Sequence, residues 1–289
     1  MKILITGASG YIGRFVAQAL AKDNQVIGMS RKATVVTESL SDICWRFGDL
    51  KDENYLKPLL VEVDVIVHCA MGYDQDGNED QELDTQSLNL ILASGKRVIY
   101  TSNLFGIKDG RFISEEPMSK ELYWRFGQEK RVLIAGGAIV RLGFVYGEGN
   151  GYFWETLKPD EQNNIYLSGS EKNHWPMVHV VDLACLFALV IEKKANGIFH
   201  GWDGYITRGH KLMKAIAKLV DAEVCYEVKG YAAKFMTNTL QVGNDRGQAL
   251  GWKVKKGNLM DTLPEIISEY GIKKVMKSKL VYNKPIKQD

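Results

Sequence analysis

A glycine-rich segment near the start of the chain is the clearest candidate for binding chemistry. It reads Thr6-Gly7-Ala8-Ser9-Gly10-Tyr11-Ile12-Gly13, with glycines spaced as Gly-x-x-Gly-x-x-Gly. The flanking patterns predict a strand before it and a helix after it. In that setting the first glycine permits a tight turn, the second admits a pyrophosphate, and the third lets helix and sheet pack closely. We therefore predict a dinucleotide site formed by Gly7, Ser9, Gly10, Tyr11, Ile12 and Gly13; the alternative is a structural turn without a ligand.

The end of the second predicted strand bears on which dinucleotide is bound. An NAD site usually carries an acid there, about 20 residues after the glycine loop, to hold the ribose 2′-hydroxyl. Here the sequence reads Ser30-Arg31-Lys32, with two cations and no carboxylate. Arg31 can stack on adenine, and all three residues can contact a 2′-phosphate. The segment favours NADP(H) over NAD(H), and the alternative is a solvated basic turn.

The first half of the chain alternates strand and helix patterns. Predicted strands cover 2–6, 25–29, 43–47, 64–69, 97–101 and 138–142, and predicted helices cover 11–22, 83–93 and 120–135. Strands that alternate with helices indicate an α/β fold, here a doubly wound Rossmann parallel sheet covered on both faces.

The pattern changes after Gly143, where glycine, tryptophan and asparagine become frequent. Helix patterns return at 181–193, 209–220 and 259–270. We therefore predict a Rossmann domain at 1–142 and a small C-terminal α/β substrate lobe at 143–289, with some segments (about 178–200) returning to the Rossmann domain.

The composition is typical of a globular protein. The 289 residues include 37 Lys or Arg and 35 Asp or Glu, which gives a net charge of +2, and 45% are hydrophobic. These values argue against a disordered chain or a nucleic-acid binder. No apolar run is long enough for a membrane span, and the start shows no signal-peptide pattern. The scattered cysteines and histidines predict no metal site and a reduced, cytoplasmic location.

Two regions of uneven charge are expected to be solvated. An acidic segment covers 74–84 and a basic tail covers 273–287. Runs of like charge are usually solvated surface, so we interpret them as a loop and a terminus.

Motifs along nearly the whole chain resemble the extended short-chain dehydrogenase/reductase family, also called the NAD-dependent epimerase/dehydratase family. Besides the glycine loop, they lie at 48–50, 65–70, 97–102, 139–147, 178–184 and 249–252. The resemblance implies that Asp49 and Leu50 lie at the adenine. It also implies that the remaining cofactor contacts come from Cys69, Ala70, Met71 and Thr101.

Members of this family use a Tyr-x-x-x-Lys pair on a helix, with a Ser or Thr from the preceding strand. The tyrosine exchanges a proton with the substrate oxygen, while the lysine binds the nicotinamide ribose and lowers the tyrosine pKa. The resemblance implies that Tyr123 is this tyrosine, which also contacts the cofactor, and that Ser102 is the hydroxyl residue. Asn103 follows, where a second small hydroxyl residue is common.

The lysine of the pair is absent, because Gly127 stands four residues after Tyr123. On a continuous helix Arg125 would point to the far side, and Lys130 would lie about 10 Å along the axis. Lys120, one turn before, is the local cation that could reach. We therefore expect an atypical branch whose tyrosine serves as an acid, which suits a reductase. The alternative is that Tyr123 only packs on the domain.

The resemblance places Arg141, Tyr146 and His179 at the substrate, although a structural role is the alternative for Arg141 and His179. Our leading hypothesis is NADPH-dependent reduction of a small carbonyl compound, in which Ser102 orients the carbonyl oxygen and Tyr123 donates the proton. A catalytically silent NADP(H)-binding sensor or scaffold is the second hypothesis, and a sugar-nucleotide epimerase or dehydratase is the third. We expect a small-molecule substrate, no nucleic acid and no membrane; the family's paired helices allow a homodimer.

Overall fold

The computed structural model describes residues 1–32, 40–73, 78–104, 112–118, 123–149, 151, 157–167, 169–227, 236–237 and 239–271. Lys120, part of the acidic segment and the basic tail lie outside these residues, so their predictions stay predictions.

The described strands and helices are short, and strands alternate with helices mainly in the first half of the chain. The strands are β1 (Lys2–Thr6), β2 (Gln25–Ser30), β3 (Ile43–Phe47), β4 (Val65–His68), β5 (Arg97–Asn103), β6 (Phe112–Ile113), β7 (Ala138–Leu142), β8 (Phe144–Tyr146), β9 (Asn164–Tyr166), β10 (His174–Trp175), β11 (Met177–His179), β12 (Gly197–Gly201), β13 (Thr207–Arg208), β14 (Glu223–Cys225) and β15 (Gln241–Val242). The helices are α1 (Tyr11–Ala21), α2 (Glu53–Glu62), α3 (Gln81–Ala93), α4 (Trp124–Ile134), α5 (Val180–Glu192), α6 (Gly209–Val220), α7 (Asp245–Ala249) and α8 (Leu263–Glu269).

Seven of these strands form one parallel sheet in the order β12-β7-β5-β4-β1-β2-β3. Strand β1 pairs with β2 on one side and with β4 on the other, so the strand order reverses between β1 and β4. Doubly wound sheets bind ligands in the crevice at the carboxyl ends of such strands. The α/β Rossmann-type fold predicted from the sequence is confirmed.

The central sheet is buried on both faces, as its continuous apolar runs require. In β1, Ile3, Leu4 and Ile5 have no exposed surface. Ile3 and Ile5 pack in the core that includes α1 and α5, whereas Leu4 packs in the core that includes α2 and α3. Side chains alternate along a strand, so each face of the sheet receives its own helical layer.

A smaller lobe follows β7 and has its own apolar core. Strand pairs β8–β11, β9–β14 and β10–β13 contribute to it, and Phe144 and Trp175 pack there against residues of α6 and α8. Strand β12 leaves this part of the chain and pairs with β7 in the central sheet. The domain boundary at 142 stays a prediction.

Two further properties concern only the residues that the structure describes. None of their helices is both long and apolar enough to cross a bilayer. No three of their His, Cys, Asp or Glu side chains lie together as metal ligands would.

Asp182 joins α5 to the C-terminal segment. Asp182 is 1% exposed. Its carboxylate oxygens accept hydrogen bonds from the backbone amides of Lys255 (3.0 Å) and Lys256 (2.9 Å). Its carbonyl oxygen accepts a third hydrogen bond from Trp252 Nε1 at 2.8 Å. Asp182 therefore acts as a structural acid that holds the segment after α7.

We predict that Asp182→Ala lowers the free energy of unfolding by about 2 kcal/mol, because two partly buried amides lose their acceptor. Urea titration of the variant against the wild-type chain measures this. Asp261→Ala, at an exposed position, is the control and should change stability by less than about 0.5 kcal/mol. Equal effects of the two substitutions would contradict the assignment.

Candidate active site

The glycine loop between β1 and α1 has the close packing of a phosphate cradle. Gly7 has a φ of 69°, and a Cβ atom there would lie 2.7 Å from the Cα of Ala70. A Cβ on Gly13 would overlap the carbonyl oxygen of Gly7. The same oxygen accepts a hydrogen bond from Gly10 N at 2.9 Å, which closes the turn. Glycine is therefore required at both ends of the loop.

Helix α1 begins directly after this loop and has no side-chain cap or first-turn acid among the described residues. A helix N-terminus with unpaired N–H groups favours an anion. The hydroxyl of Tyr11 donates to Gly147 O at 2.8 Å and so joins the loop to the second lobe. The loop and the helix end therefore fit a pyrophosphate group.

The predicted adenosine contacts lie at the ends of β2 and β3. Ser30 Oγ lies 3.0 Å from Ser9 Oγ and accepts a hydrogen bond from Lys32 N at 3.2 Å, which fixes the turn after β2 beside the glycine loop. Arg31 and Lys32 are exposed. The two cationic side chains are therefore accessible to solvent at the edge of the sheet where a 2′-phosphate would lie.

The two residues predicted at the adenine follow β3. Asp49 is exposed, and its Oδ1 accepts a hydrogen bond from Lys51 N at 3.0 Å. Leu50 packs partly against the core on the α2 side of the sheet. Their contact with adenine stays a prediction.

The ends of β4 and β5 lie side by side at the other end of the crevice. Cys69 Sγ lies 3.3 Å from Thr101 Oγ1, and Met71 Sδ contacts the guanidinium of Arg125. Burial raises the pKa of the Cys69 thiol to about 12, so it is neutral at pH 7. Three of the residues that the resemblance implies as cofactor contacts, Cys69, Met71 and Thr101, therefore lie together at one edge of the sheet.

Tyr123 lies one residue before α4. Its backbone is extended, with a φ of −162° and a ψ of 132°, and the helix begins at Trp124. The helix predicted from 120 therefore begins later than expected. As a result, helical spacing does not relate Tyr123 to the residues that follow it.

Arg125 lies on the same side as Tyr123, so the predicted orientation toward the far side of the helix is wrong. Its Nε atom donates to Glu79 Oε2 at 3.4 Å, and the same oxygen accepts a hydrogen bond from the Tyr123 hydroxyl. The prediction failed because it assumed helical geometry at Tyr123. A cation therefore does lie near the tyrosine, although not at the position of the family's lysine.

Glu79 is the acceptor on which this cluster converges. Its Oε2 accepts from Tyr123, from Trp124 Nε1 (3.1 Å) and from Arg125, and its Oε1 accepts from Asn103 Nδ2 (3.3 Å). Only 16% of its side chain is exposed. The expectation that the acidic segment is solvated is therefore wrong for Glu79.

Backbone contacts place Glu79 at the site. Glu79 forms a β-bridge with Tyr73, and Asp80 N donates to Gly72 O at 2.9 Å. The side chain of Asp80 then caps α3 by accepting from Leu83 N at 3.0 Å. An acid followed by a helix cap is common in sequences, so no spacing pattern could have identified Glu79.

Asn103 is the strand residue that reaches the tyrosine. Its Nδ2 donates to the Tyr123 hydroxyl at 2.9 Å. Successive residues of a strand face opposite sides, so Ser102 faces away from Asn103. Ser102 is 2% exposed, and within the described part of the chain its hydroxyl has no hydrogen-bond partner. An amide thus lies beside Tyr123, one residue after the hydroxyl that the resemblance implied.

The surroundings of Tyr123 keep its hydroxyl protonated. Burial raises the pKa of Tyr123 well above its ordinary value; the charge of Arg125 opposes this rise, and the Glu79 carboxylate adds to it. A phenol in this state can donate a proton and is poorly suited to accept one.

The guanidinium of Arg125 is enclosed by the protein. The residue is 1% exposed, and its Nη1 donates to Tyr100 Oη at 2.8 Å and to Thr101 O at 3.3 Å. Tyr100 in turn donates to Asp84 Oδ2 at 2.9 Å. Arg125 can therefore supply positive charge near Tyr123, but it has no exposed donor for a ribose.

The three residues predicted at the substrate lie in the interior with protein partners. Tyr146 has no exposed surface, and its ring packs perpendicular to the ring of His179. His179 is 2% exposed and accepts a hydrogen bond from Val181 N at 3.2 Å, which caps α5. Arg141 has no exposed surface and lies 2.7 Å from Glu129. These positions fit the structural alternative for Arg141 and His179, and none of the three side chains offers surface to a substrate.

The ion pair of Arg141 and Glu129 belongs to a buried network that holds the segment after β6. Arg141 also donates to Ser114 O (3.3 Å) and Glu116 O (3.0 Å). Its Nη1 lies 3.4 Å from Nε2 of His200. Burial, and next the charge of Arg141, lower the pKa of His200 to about 3, so this histidine is neutral in the folded protein.

Asp203 is a buried acid outside all the sequence motifs. Its Oδ1 accepts from Tyr205 N at 2.9 Å, whereas its Oδ2 has no partner in the described ranges. Burial, and to a smaller extent Asp182, raise its pKa to about 7. Asp203 therefore lies close to half-protonated at neutral pH.

The chain is similar in sequence to a protein family and to several known proteins. Residues 3–105 match the model of the NAD dependent epimerase/dehydratase family. An uncharacterized protein of Saccharomyces cerevisiae is 28% identical over 294 residues, covering 91% of this chain and 98% of that protein. The dTDP-4-dehydrorhamnose reductase of Mycolicibacterium smegmatis is 27% identical over 169 residues, covering 52% of this chain and 47% of the enzyme.

Among solved structures, a double mutant of the dTDP-glucose 4,6-dehydratase of Streptomyces venezuelae with NAD bound has the same fold. The TM-score is 0.74 at 21% identity, and the match covers 94% of this chain and 97% of the other. At this identity the likeness establishes the fold alone.

We predict that His200 by itself lowers the free energy of unfolding as the pH falls from about 6.5 toward 3, because unfolded His200 binds a proton that the folded state excludes. Asp203, whose pKa is raised to about 7, contributes in the opposite direction, so the effect of His200 is measured as a difference from its variant. The expected slope is about 1.4 kcal/mol per pH unit for each such histidine. Urea titrations between about pH 7 and pH 5 measure it. His200→Asn should reduce the slope by this amount, while His179, whose pKa burial lowers to about 4, retains its own share. An unchanged slope would contradict the buried neutral state of His200.

Proposed function

Because residues 3–105 match the model of the NAD dependent epimerase/dehydratase family, we propose that the protein is an oxidoreductase that reduces a small carbonyl compound with NADPH. The observation that carries the proposal is the placement of Tyr123. Its protonated hydroxyl is held by Asn103 and Glu79 beside the carboxyl ends of β4 and β5. That edge of the sheet is where the fold presents a cofactor to a substrate.

The residues have distinct roles in this proposal. Tyr123 donates the proton to the carbonyl oxygen, and bound NADPH would supply the hydride for the carbonyl carbon. Asn103 fixes the phenol oxygen by donating to it, so an amide takes the positioning role that we first assigned to Ser102. Glu79 accepts a hydrogen bond from the phenol hydroxyl and so orients it.

The cofactor is assigned from the fit of the crevice. Gly7, Gly10 and Gly13 form the cradle, and exposed Arg31 and Lys32 supply charge for a 2′-phosphate. The complete set that we propose is Gly7, Ser9, Gly10, Tyr11, Ile12, Gly13, Ser30, Arg31, Lys32, Asp49, Leu50, Cys69, Ala70, Met71, Thr101 and Tyr123.

One of the sequence comparisons also supports a reductase. A relative that matches about half of this chain is named as a reductase.

A catalytically silent NADP(H)-binding protein is the second candidate. The observation that favours it is that the Tyr123 hydroxyl already donates to Glu79 and accepts from Asn103. Tight cofactor binding without turnover of any carbonyl compound would support this candidate.

We predict that Tyr123→Phe lowers kcat for carbonyl reduction by about 100-fold or more, because the proton donor is lost. NADPH consumption with a panel of aldehydes and ketones measures the effect. Tyr205→Phe is the control, since Tyr205 is 44% exposed, and it should retain wild-type turnover. Unchanged turnover in the Tyr123 variant would exclude Tyr123 as the acid.

We predict that isothermal titration finds tighter binding of NADPH than of NADH, and that Arg31→Ala weakens NADPH by about tenfold while leaving NADH unchanged. Lys51→Ala, at another exposed position of the same edge, should bind both cofactors as the wild type does. A wild-type preference for NADH would refute the assignment of Arg31.

A further inference from the structure

The site has Gly127, and no lysine, four residues after Tyr123, and it has a carboxylate at the tyrosine hydroxyl. Glu79 accepts hydrogen bonds from four different side chains, and three of these donors, on Asn103, Trp124 and Arg125, are N–H groups. N–H groups can only donate here, so both oxygens of Glu79 act as acceptors. The remaining donor is the hydroxyl of Tyr123. Glu79 is therefore placed to act on the tyrosine proton.

The cation in the cluster does not take over the lysine's role. Arg125 is enclosed, and its Nη1 also lies 3.6 Å from Asp84 Oδ1. Its charge is thus shared between two carboxylates, Glu79 and Asp84. In the family the lysine stabilises the ionised tyrosine, whereas here the group that is hydrogen-bonded to the hydroxyl is an acid. The acid opposes ionisation of the tyrosine, which the lysine would favour.

We propose that Glu79 is the positioning residue that holds Tyr123 in its acid form and returns a proton to it after each turnover. The inference rests on the proposed reductase function and specifies how its acid is maintained. It predicts a site that reduces carbonyl compounds up to alkaline pH, because the phenol stays protonated there.

The O–H bond of Tyr123 breaks and an O–H bond forms on the substrate oxygen, while the nicotinamide cofactor reduces the carbonyl carbon. Glu79, with 16% of its side chain exposed, takes a proton from solvent and passes it to the phenolate. The net reaction consumes one carbonyl compound, one reduced cofactor and one solvent proton.

The pH dependence follows from the groups that face Tyr123. Glu79 opposes ionisation of the phenol, Arg125 of α4 favours it, and Asn103 of β5 is uncharged. Behind Arg125 lie Tyr100 and Asp84, and the carboxylate of Asp84 offsets part of the arginine charge. Neutralising Glu79 leaves the positive charge of Arg125 less opposed, so Tyr123 should ionise at lower pH.

The test follows the ionisation of Tyr123 directly, without cofactor or substrate. The chain has 13 tyrosines, so the protein is labelled with ¹³C at the tyrosine ζ carbon and the signal absent in Tyr123→Phe is assigned to Tyr123. In the wild type this signal should stay in the phenol form above the ordinary pKa of about 10. In Glu79→Gln its midpoint should fall by about one pH unit or more. Glu82→Gln, which removes an exposed acid of α3, should leave it unchanged.

The same variants give a kinetic measurement. In Glu79→Gln the alkaline limb of kcat/KM for reduction should move down by the same amount as the NMR midpoint, and in Glu82→Gln it should not move. Equal Tyr123 midpoints in the wild type and Glu79→Gln would overturn the inference. If Glu79→Gln does not fold, ionisation of wild-type Tyr123 below about pH 10 overturns it instead. Absence of wild-type turnover on every carbonyl compound would refute the proposed function alone, because the NMR titration needs no substrate.

Discussion

The guanidinium of Arg125 lies in the interior with 1% of the residue exposed, and a buried charge of this kind must be paired. Its partners come from two separate parts of the chain: Glu79 and Asp84 lie at the start of α3, and Tyr100 lies on β5. Satisfying this one cation therefore brings the start of α4, the start of α3 and the end of β5 together. Tyr123 and Asn103 lie at the junction so formed, and the candidate site depends on it.

In the family that the sequence resembles, one lysine binds the ribose and places positive charge near the tyrosine, and Arg125 can do only the second. Positive charge near the tyrosine is supplied by Arg125, but from a buried position where its donors bind protein groups. Among the described residues, no exposed cation takes the lysine's place four residues after Tyr123, where Gly127 stands. The chain thus has a Rossmann-type fold with Tyr123 surrounded by Glu79, Asn103 and Arg125.

A second buried cation shows how a motif position can serve the fold. Arg141 belongs to a segment typical of the family's substrate cleft, yet its guanidinium pairs with Glu129 and binds the carbonyl groups of Ser114 and Glu116. Breaking one partner of such a pair leaves an uncompensated charge in the interior. The residue is therefore constrained by the structure itself. Burial, and next the charge of Arg141, keep nearby His200 neutral.

The sequence alone determined the features that depend on neighbours along the chain. The glycine loop, the apolar strands and helices such as α6 follow from local spacing, and together they predicted the Rossmann-type sheet with its crevice beside Gly7. The tertiary structure decided which side chains meet at the tyrosine. Glu79 and Asn103 approach Tyr123 from positions 44 and 20 residues away, and Arg125 reaches it because Tyr123 lies outside the helix. Charge pairing and burial act between segments that are distant in sequence, so no local sequence pattern predicts which of these residues meet.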